Sequence, residues 1–253
     1  MKNFYRNLLL AAFSLILLIG FSACSSSDEE KFFEEISPET NVRAIHLSPD
    51  PDANDPDVDV DYKVIEVEKT IVGLGYGEAS AYTEVDIAVT SVIFKDSAGQ
   101  EIATLDSPGF TEDPDHTVYV VGLDNSLEII QSDDDRSTES GKVKVRFVHA
   151  IPDAPAVDIK LDTPDGTEVF SNADFKTITD YVSVDPDDYT FVVTEAGNDV
   201  DEFDAFNPAT LEADKVYTII AHGTVDDTDM FNVGVRVFDD TGSGDTFIDL
   251  TRP

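Results

Sequence analysis

Basic residues are scarce in this chain: 16 lysines and arginines stand against 53 acids, a formal charge of −37 over 253 residues. A surface with that balance repels nucleic-acid phosphates and anionic headgroups, whose binding depends on Lys and Arg displacing counterions. Nucleic acid is therefore excluded as a partner. There is a single cysteine, Cys24, so no disulfide can form within the chain and stability must come from packing. Long apolar runs are missing too. The stretch Leu8 to Gly20 is interrupted by Ser14 and falls short of the about 20 residues that a membrane-spanning helix needs. No part of the chain beyond it shows a sustained helical period. Catalytic signatures are equally lacking: there is no Gly-x-Ser-x-Gly elbow, no Walker loop and no Rossmann fingerprint. The glycine-rich run Gly73-Leu74-Gly75-Tyr76-Gly77 lacks the lysine and following helix of a phosphate cradle and reads as a turn. The expectation is a protein that is not an enzyme.

What is present begins at the N-terminus. Lys2 and Arg6 precede the apolar run, and Phe21-Ser22-Ala23-Cys24 follows it, the order of a signal peptide over residues 1–23. The segment around Cys24 resembles the bacterial lipobox, with Phe21 where that motif usually has Leu. The resemblance implies cleavage before Cys24 and lipidation of its thiol. A diacylglyceryl thioether plus an N-terminal acyl chain suffices for stable membrane attachment. Behind it, Ser25-Ser26-Ser27-Asp28-Glu29-Glu30 is polar and acidic, so residues 24–40 read as a flexible tether. Ser25 after the cysteine resembles outer-membrane retention. The serine-then-acidic pattern is similar to the surface-export signal of Bacteroidetes lipoproteins. The expected location is the outer membrane, facing the cell surface, with a cell-envelope protein or glycan as the kind of partner within reach.

Lys2 and Arg6 are the only charged residues before Cys24, so the mature chain carries −39. Few lysines beside many aspartates suit a halophile, where hydrated carboxylates keep a protein soluble in strong salt; an ion-binding role is the alternative. Hydrophobic content of 41% and aromatic content of 9% are enough to fill two cores.

The chain repeats itself. Val42-Arg43-Ala44-Ile45-His46 parallels Val145-Arg146-Phe147-Val148-His149, each followed by a Pro/Asp/Ala cluster, and Val58-Asp59-Val60 parallels Val157-Asp158-Ile159. Tyr76 matches Phe175, Tyr82 matches Tyr181, Val85-Asp86 matches Val184-Asp185, and Val118-Tyr119 is aligned with Val216-Tyr217. Two domains are expected, 41–131 and 142–253, joined by an acidic linker over 132–141. Apolar and polar residues alternate in Val143 to Val148 and Thr190 to Thr194, and further β-rich runs cover Thr117 to Val121, Val216 to Ala221 and Val233 to Phe238. Short strands separated by turns such as Ala98-Gly99 and Asp165-Gly166 point to an all-β fold, two tandem Ig-like or Greek-key sandwiches. The run Val145 to Ala150 through Pro152 to Ile159, with Tyr181 and Tyr217-Thr218 downstream, resembles the bacterial domain of unknown function 4397. That resemblance implies an anchored, extracytoplasmic β-sandwich often found in tandem, and no activity.

The most site-like segment is Asp50 to Asp61. Asp50, Asp52, Asp55, Asp57 and Asp59 could supply hard oxygen ligands to calcium. The segment lacks the glycine and terminal glutamate of an EF-hand, and a solvated acidic loop is the plainer reading. His46 and His149 sit at equivalent strand ends, where a histidine commonly fixes the following loop by hydrogen bonds; a metal ligand or proton shuttle is the alternative. His116 and His222 are not equivalent to each other and share no zinc-type spacing. Tyr76, Tyr82, Phe175 and Tyr181 recur in both copies. They could form a carbohydrate or peptide platform, but the packing each sandwich requires explains the repetition better. The function expected is a lipid-anchored envelope protein with a non-catalytic binding or spacer role. A calcium-dependent adhesion or carbohydrate-binding module is the alternative, and an extracytoplasmic hydrolase the next.

Overall fold

The run Val42-Arg43-Ala44-Ile45-His46 cannot be explained by one buried face. Every residue in it is closed to solvent, and the same holds for Val145 to Ala150 in the second copy. Strands buried on both sides read as near-continuous apolar runs rather than clean alternation. The architecture supplies the second cover.

The structure, a computed structural model, describes residues 38–49, 57–64, 67–123, 126–198, 206–225 and 233–250. All of them belong to one compact unit, Pro38–Pro253. No helix occurs among the described residues.

Copy 1 contains β1 (Glu39–His46), β2 (Val58–Lys63), β3 (Val67–Leu74), β4 (Thr83–Asp86), β5 (Ser91–Lys95), β6 (Glu101–Asp106), β7 (Asp115–Val121) and β8 (Glu128–Asp134). They form two four-stranded sheets, β4-β1-β7-β8 and β3-β2-β5-β6. Between them lies a core including Val42, Ala44, Val60, Tyr62, Phe94 and Val118. Copy 2 contains β9 (Val143–Ala150), β10 (Val157–Leu161), β11 (Glu168–Ala173), β12 (Val182–Val184), β13 (Asp187–Tyr189), β14 (Phe191–Glu195), β15 (Ala209–Leu211), β16 (Lys215–His222), β17 (Gly234–Asp239) and β18 (Phe247–Leu250). Its larger sheet runs β12-β9-β16-β17-β18; the opposing layer is β11-β10-β14 with the short pair β13-β15. Val145, Phe147, Ile159, Phe191, Val193 and Ile219 are among the residues that fill its core. The expected all-β pair of sandwiches is what the chain builds.

A third apolar layer joins the copies. Ile45, Leu47, Tyr119 and Val121 from copy 1 pack with Val148, Ala150, Ile220 and Phe238 from copy 2. Apart from Leu47, which directly follows β1, these are the residues of β1, β7, β9, β16 and β17 that face away from each copy's own core. The sheets carrying β1 and β9 therefore back onto one another, and each is covered on both faces.

Three expectations need correcting. The tether expected over 24–40 ends sooner, since Glu39 and Thr40 already belong to β1 and Thr40 is buried. The segment 132–141 is not wholly a linker: its first three residues end β8, and Asp134 is 2% exposed. Its polar composition reads as a linker because the partners that neutralise it lie on other strands. The alignment of Val118-Tyr119 with Val216-Tyr217 is also displaced. β1 pairs parallel with β7, setting Arg43 opposite Thr117, and β9 pairs parallel with β16, setting Arg146 opposite Thr218. Since Arg43 and Arg146 are equivalent, Thr117 matches Thr218, and Val118-Tyr119 matches Ile219-Ile220. A shared Val-Tyr dipeptide had masked the strand register.

Candidate functional site

Cys24, Asp50, Asp52 and Asp55 lie outside the described residues. Asp57 is exposed and Asp59 half-buried. The Asp59 carboxylate accepts the Gly73 N–H at 2.9 Å. In copy 2, Asp158 accepts the Asn172 N–H at 2.7 Å and the Gly197 N–H at 2.8 Å. Gly73 and Asn172 have positive φ (66° and 49°), and the register shifts beside both, between Val58 and Val60 and between Val157 and Ile159. The repeated Val-Asp-Val/Ile motif thus places a carboxylate on the N–H that a bulge leaves unpaired. Among the described residues, no three His, Cys, Asp or Glu side chains cluster to hold a metal.

His149 fixes its loop as expected. Its Nδ1 accepts the Ile151 N–H at 3.2 Å, so Nε2 carries the proton and donates to the Pro155 carbonyl at 3.2 Å. His46 differs. Its Nδ1 lies 3.3 Å from the Leu74 carbonyl, which makes Nδ1 the protonated nitrogen, while Nε2 is buried with no hydrogen bond.

The densest polar chemistry lies between the copies. Arg43 is fully buried; its Nη1 sits 2.8 Å from Asp240 and 3.0 Å from the Gly244 carbonyl of copy 2. Arg146 of copy 2 reaches back, with Nη2 2.6 Å from Asp134 and 3.0 Å from the Tyr119 hydroxyl of copy 1. Within each copy the arginine Nε donates to the threonine opposite it: Arg43 to Thr117 at 3.1 Å, Arg146 to Thr218 at 2.9 Å. Each threonine in turn donates to its own copy's aspartate. Each tyrosine does the same, Tyr82 to Asp134 at 2.7 Å and Tyr181 to Asp240 at 3.2 Å. The two copies thus present the same Arg-Thr-Tyr-Asp set and exchange their arginines, as the halves of an isologous interface do.

Burial opposes charge on Arg43, but Asp240 and Asp134 outweigh it, and the guanidinium pKa is raised. Burial likewise opposes ionisation of Asp134, yet Arg146, Arg43 and the hydroxyls of Thr117 and Tyr82 hold its pKa below the usual carboxylate value. Tyr82 is stacked between two guanidiniums, 4.8 Å from Arg43 and 4.0 Å from Arg136, and Tyr181 lies 4.9 Å from Arg146 and 5.1 Å from the Lys144 ammonium. The repeated tyrosines therefore pack the seam between the sandwiches rather than the core of each.

The turn Asp239 to Asp245, acidic by composition, clasps copy 1. The Ser243 carbonyl accepts the Tyr82 N–H at 2.8 Å, and Arg136 donates to the carbonyls of Asp240 at 2.6 Å and Gly242 at 2.5 Å. A Cβ at Gly244 would lie 2.6 Å from the Tyr82 ring. Sequence reasoning missed Arg43, Arg146, Asp134 and Asp240 as a unit. A signal was present: one arginine at the same place in two otherwise apolar strands.

At one end of the seam the Tyr76 hydroxyl lies 2.8 Å from His222 Nδ1, and Arg236 donates to the Tyr76 carbonyl at 3.3 Å. His46 and His222 both stand edge-on to the Tyr76 ring, at centroid distances of 6.0 and 5.4 Å.

A family model described as Domain of unknown function (DUF4397) matches the chain in two parts, residues 40–160 and 161–246. The boundary between the parts falls at the end of β10 rather than where the copies join. No curated protein matches the chain.

Proposed function

We propose, from the premise that the chain belongs to the DUF4397 family, that it is an exported lipoprotein held in the outer membrane through Cys24. Its paired sandwiches serve there as one non-catalytic binding or spacer body, presented to a cell-envelope protein or glycan. The observation that carries this reading is the seam. Two copies that meet through exchanged arginines and a shared apolar layer make a body of fixed internal geometry, suited to standing off from a membrane on a tether. The polar residues that recur in both copies are engaged inside that body: Arg43, Arg146, Asp134, Asp240, Tyr82 and Tyr181 in the seam, Asp59 and Asp158 on bulges. Partner recognition then falls to the surface residues that differ between the copies. The strongly acidic surface directs the choice toward cationic or neutral partners.

The anchor is tested by replacing Cys24 with Ser and following acyl labelling and membrane fractionation. The reading predicts that label is lost and the protein turns up in the soluble fraction. Unchanged labelling and fractionation would remove the anchor.

A further inference from the structure

The polar centre of the seam, Arg-Thr-Tyr-Asp, repeats in both copies, but its ends do not. His46 corresponds to His149, Tyr76 to Phe175, His222 to Val121 and Arg236 to Ile130, by the strand registers that place Thr117 against Thr218. One end is therefore His46 and Tyr76 of copy 1 against His222 and Arg236 of copy 2. The other is His149 and Phe175 of copy 2 against Val121 and Ile130 of copy 1, with Lys176 paired to Glu128 at 2.9 Å outside it. Three apolar residues at one end are a tyrosine, a histidine and an arginine at the other.

Such an exchange in a closed interface is costly unless every polar atom is paired. Here two are not: Nε2 of His46 and Nε2 of His222 are both buried without a hydrogen bond. We propose that this end of the seam is an acid-operated latch, in which protonation of His46 and His222 frees Tyr76 and parts the copies there while the apolar end stays closed.

The chemistry follows from the contacts. A neutral His222 needs one proton only, shared through Nδ1 with the Tyr76 hydroxyl. An imidazolium carries a proton on each nitrogen. Its Nε2–H then has no acceptor, and its charge lies near Arg236, which pairs with Asp249 at 3.4 Å. Protonated His46 gains a second N–H in a fully closed site. Tyr76 lies against both rings, and Glu78 on the same turn is exposed, its carboxylate taken by the Gly75 N–H at 3.2 Å. Burial lowers the His46 pKa to about 4 against the main-chain carbonyls of Leu74 and Ser48. Burial, then Arg236, lowers that of His222 to about 4, with Asp249 opposing. The folded-state values lie below the ordinary histidine value of about 6.5, so the closed form is unpenalised above that pH and loses ground as pH falls from 6.5 toward 4. At pH 5 each imidazole shifts the open-to-closed ratio by roughly 30-fold. His149 responds within its own copy, where protonation would displace the Ile151 N–H.

Amide hydrogen exchange on the full-length mature chain, corrected for the intrinsic pH dependence of exchange, tests the latch at pH 7 and pH 5. The expected result is at least a tenfold loss of protection at Gly75 to Glu78 and Ala221 to Gly223, with Val120 to Gly122 at the apolar end unchanged. The variant Tyr76→Phe/His222→Val/Arg236→Ile, which copies the apolar end but keeps His46, should cut the response to the share of that one imidazole, and adding His46→Gln should abolish it. His222→Gln, which keeps a hydrogen-bonding group but cannot take a charge, should reduce it. Equal protection at both pH values, loss at both ends together, or an undiminished response in His222→Gln would overturn the proposal.

Discussion

The middle of the seam and its two ends obey different rules. In the middle, both copies keep the same arginine, threonine, tyrosine and aspartate, and each arginine crosses to the other copy's aspartate. At the ends the copies have diverged, to histidine, tyrosine and arginine on one side and valine, phenylalanine and isoleucine on the other. The difference separates what holds the copies together from what can vary. Buried charges tolerate little change, because removing one partner leaves the other ionised in an apolar layer. The ends hold only the partly exposed pairs Arg236–Asp249 and Lys176–Glu128, so each can be altered without leaving a charge buried and unpaired.

That contrast can be broken most forcefully in the middle. Arg146→Ala leaves Asp134 buried without its nearest cation, and Arg43→Ala does the same to Asp240. Each should cost about 3–5 kcal/mol in denaturant unfolding, the range for uncovering one member of a buried pair. The two losses should agree to within about 1 kcal/mol if the copies contribute alike. A loss below about 1 kcal/mol at either site would mean that its pair is not closed to water.

The smallest expected effect lies at the apolar end. Lys176 sits at φ 74°, where copy 1 has Gly77 at φ 72°. A non-glycine residue in that region costs about 1–2 kcal/mol, and the exposed Lys176–Glu128 pair returns at most about 1. Lys176→Gly should therefore leave stability unchanged or raise it by about 0.5–1 kcal/mol, read as a shift in denaturation midpoint. A clear loss would show that the ion pair holds that end.

Much of this fold is legible from the residues. β-branched and aromatic runs locate β7, β9, β14, β16 and β17, and the repeated Val-Arg-x-x-His segments locate the copies. The seam is harder to see. Alternation says that Arg43 and Ile45 face away from their own core, but not that a second sheet covers them. The clue is that Ala44-Ile45 and Phe147-Val148 carry apolar side chains on both faces. Asp134 is read as linker because its partner Arg146 lies beyond the junction of the copies, and its neutralisation is a tertiary fact. Asp59 reads from its sequence neighbours as part of a solvated acidic loop, with a calcium ligand as the alternative; its hydrogen bond from the Gly73 N–H comes from a strand those neighbours do not reveal. His46 is read as a loop anchor equivalent to His149. The strands place both at the same position, and only the facing residues of the other copy make their surroundings differ.

Copies held by exchanged arginines should unfold as one body. The chain has no tryptophan, so one can be introduced into each core as a private probe: Phe110→Trp in copy 1 and Phe206→Trp in copy 2, both buried. Denaturant unfolding followed at each probe should give coincident transitions that move together when Arg146 is replaced by Ala. Two separate transitions, with only one shifted by that replacement, would contradict the single body.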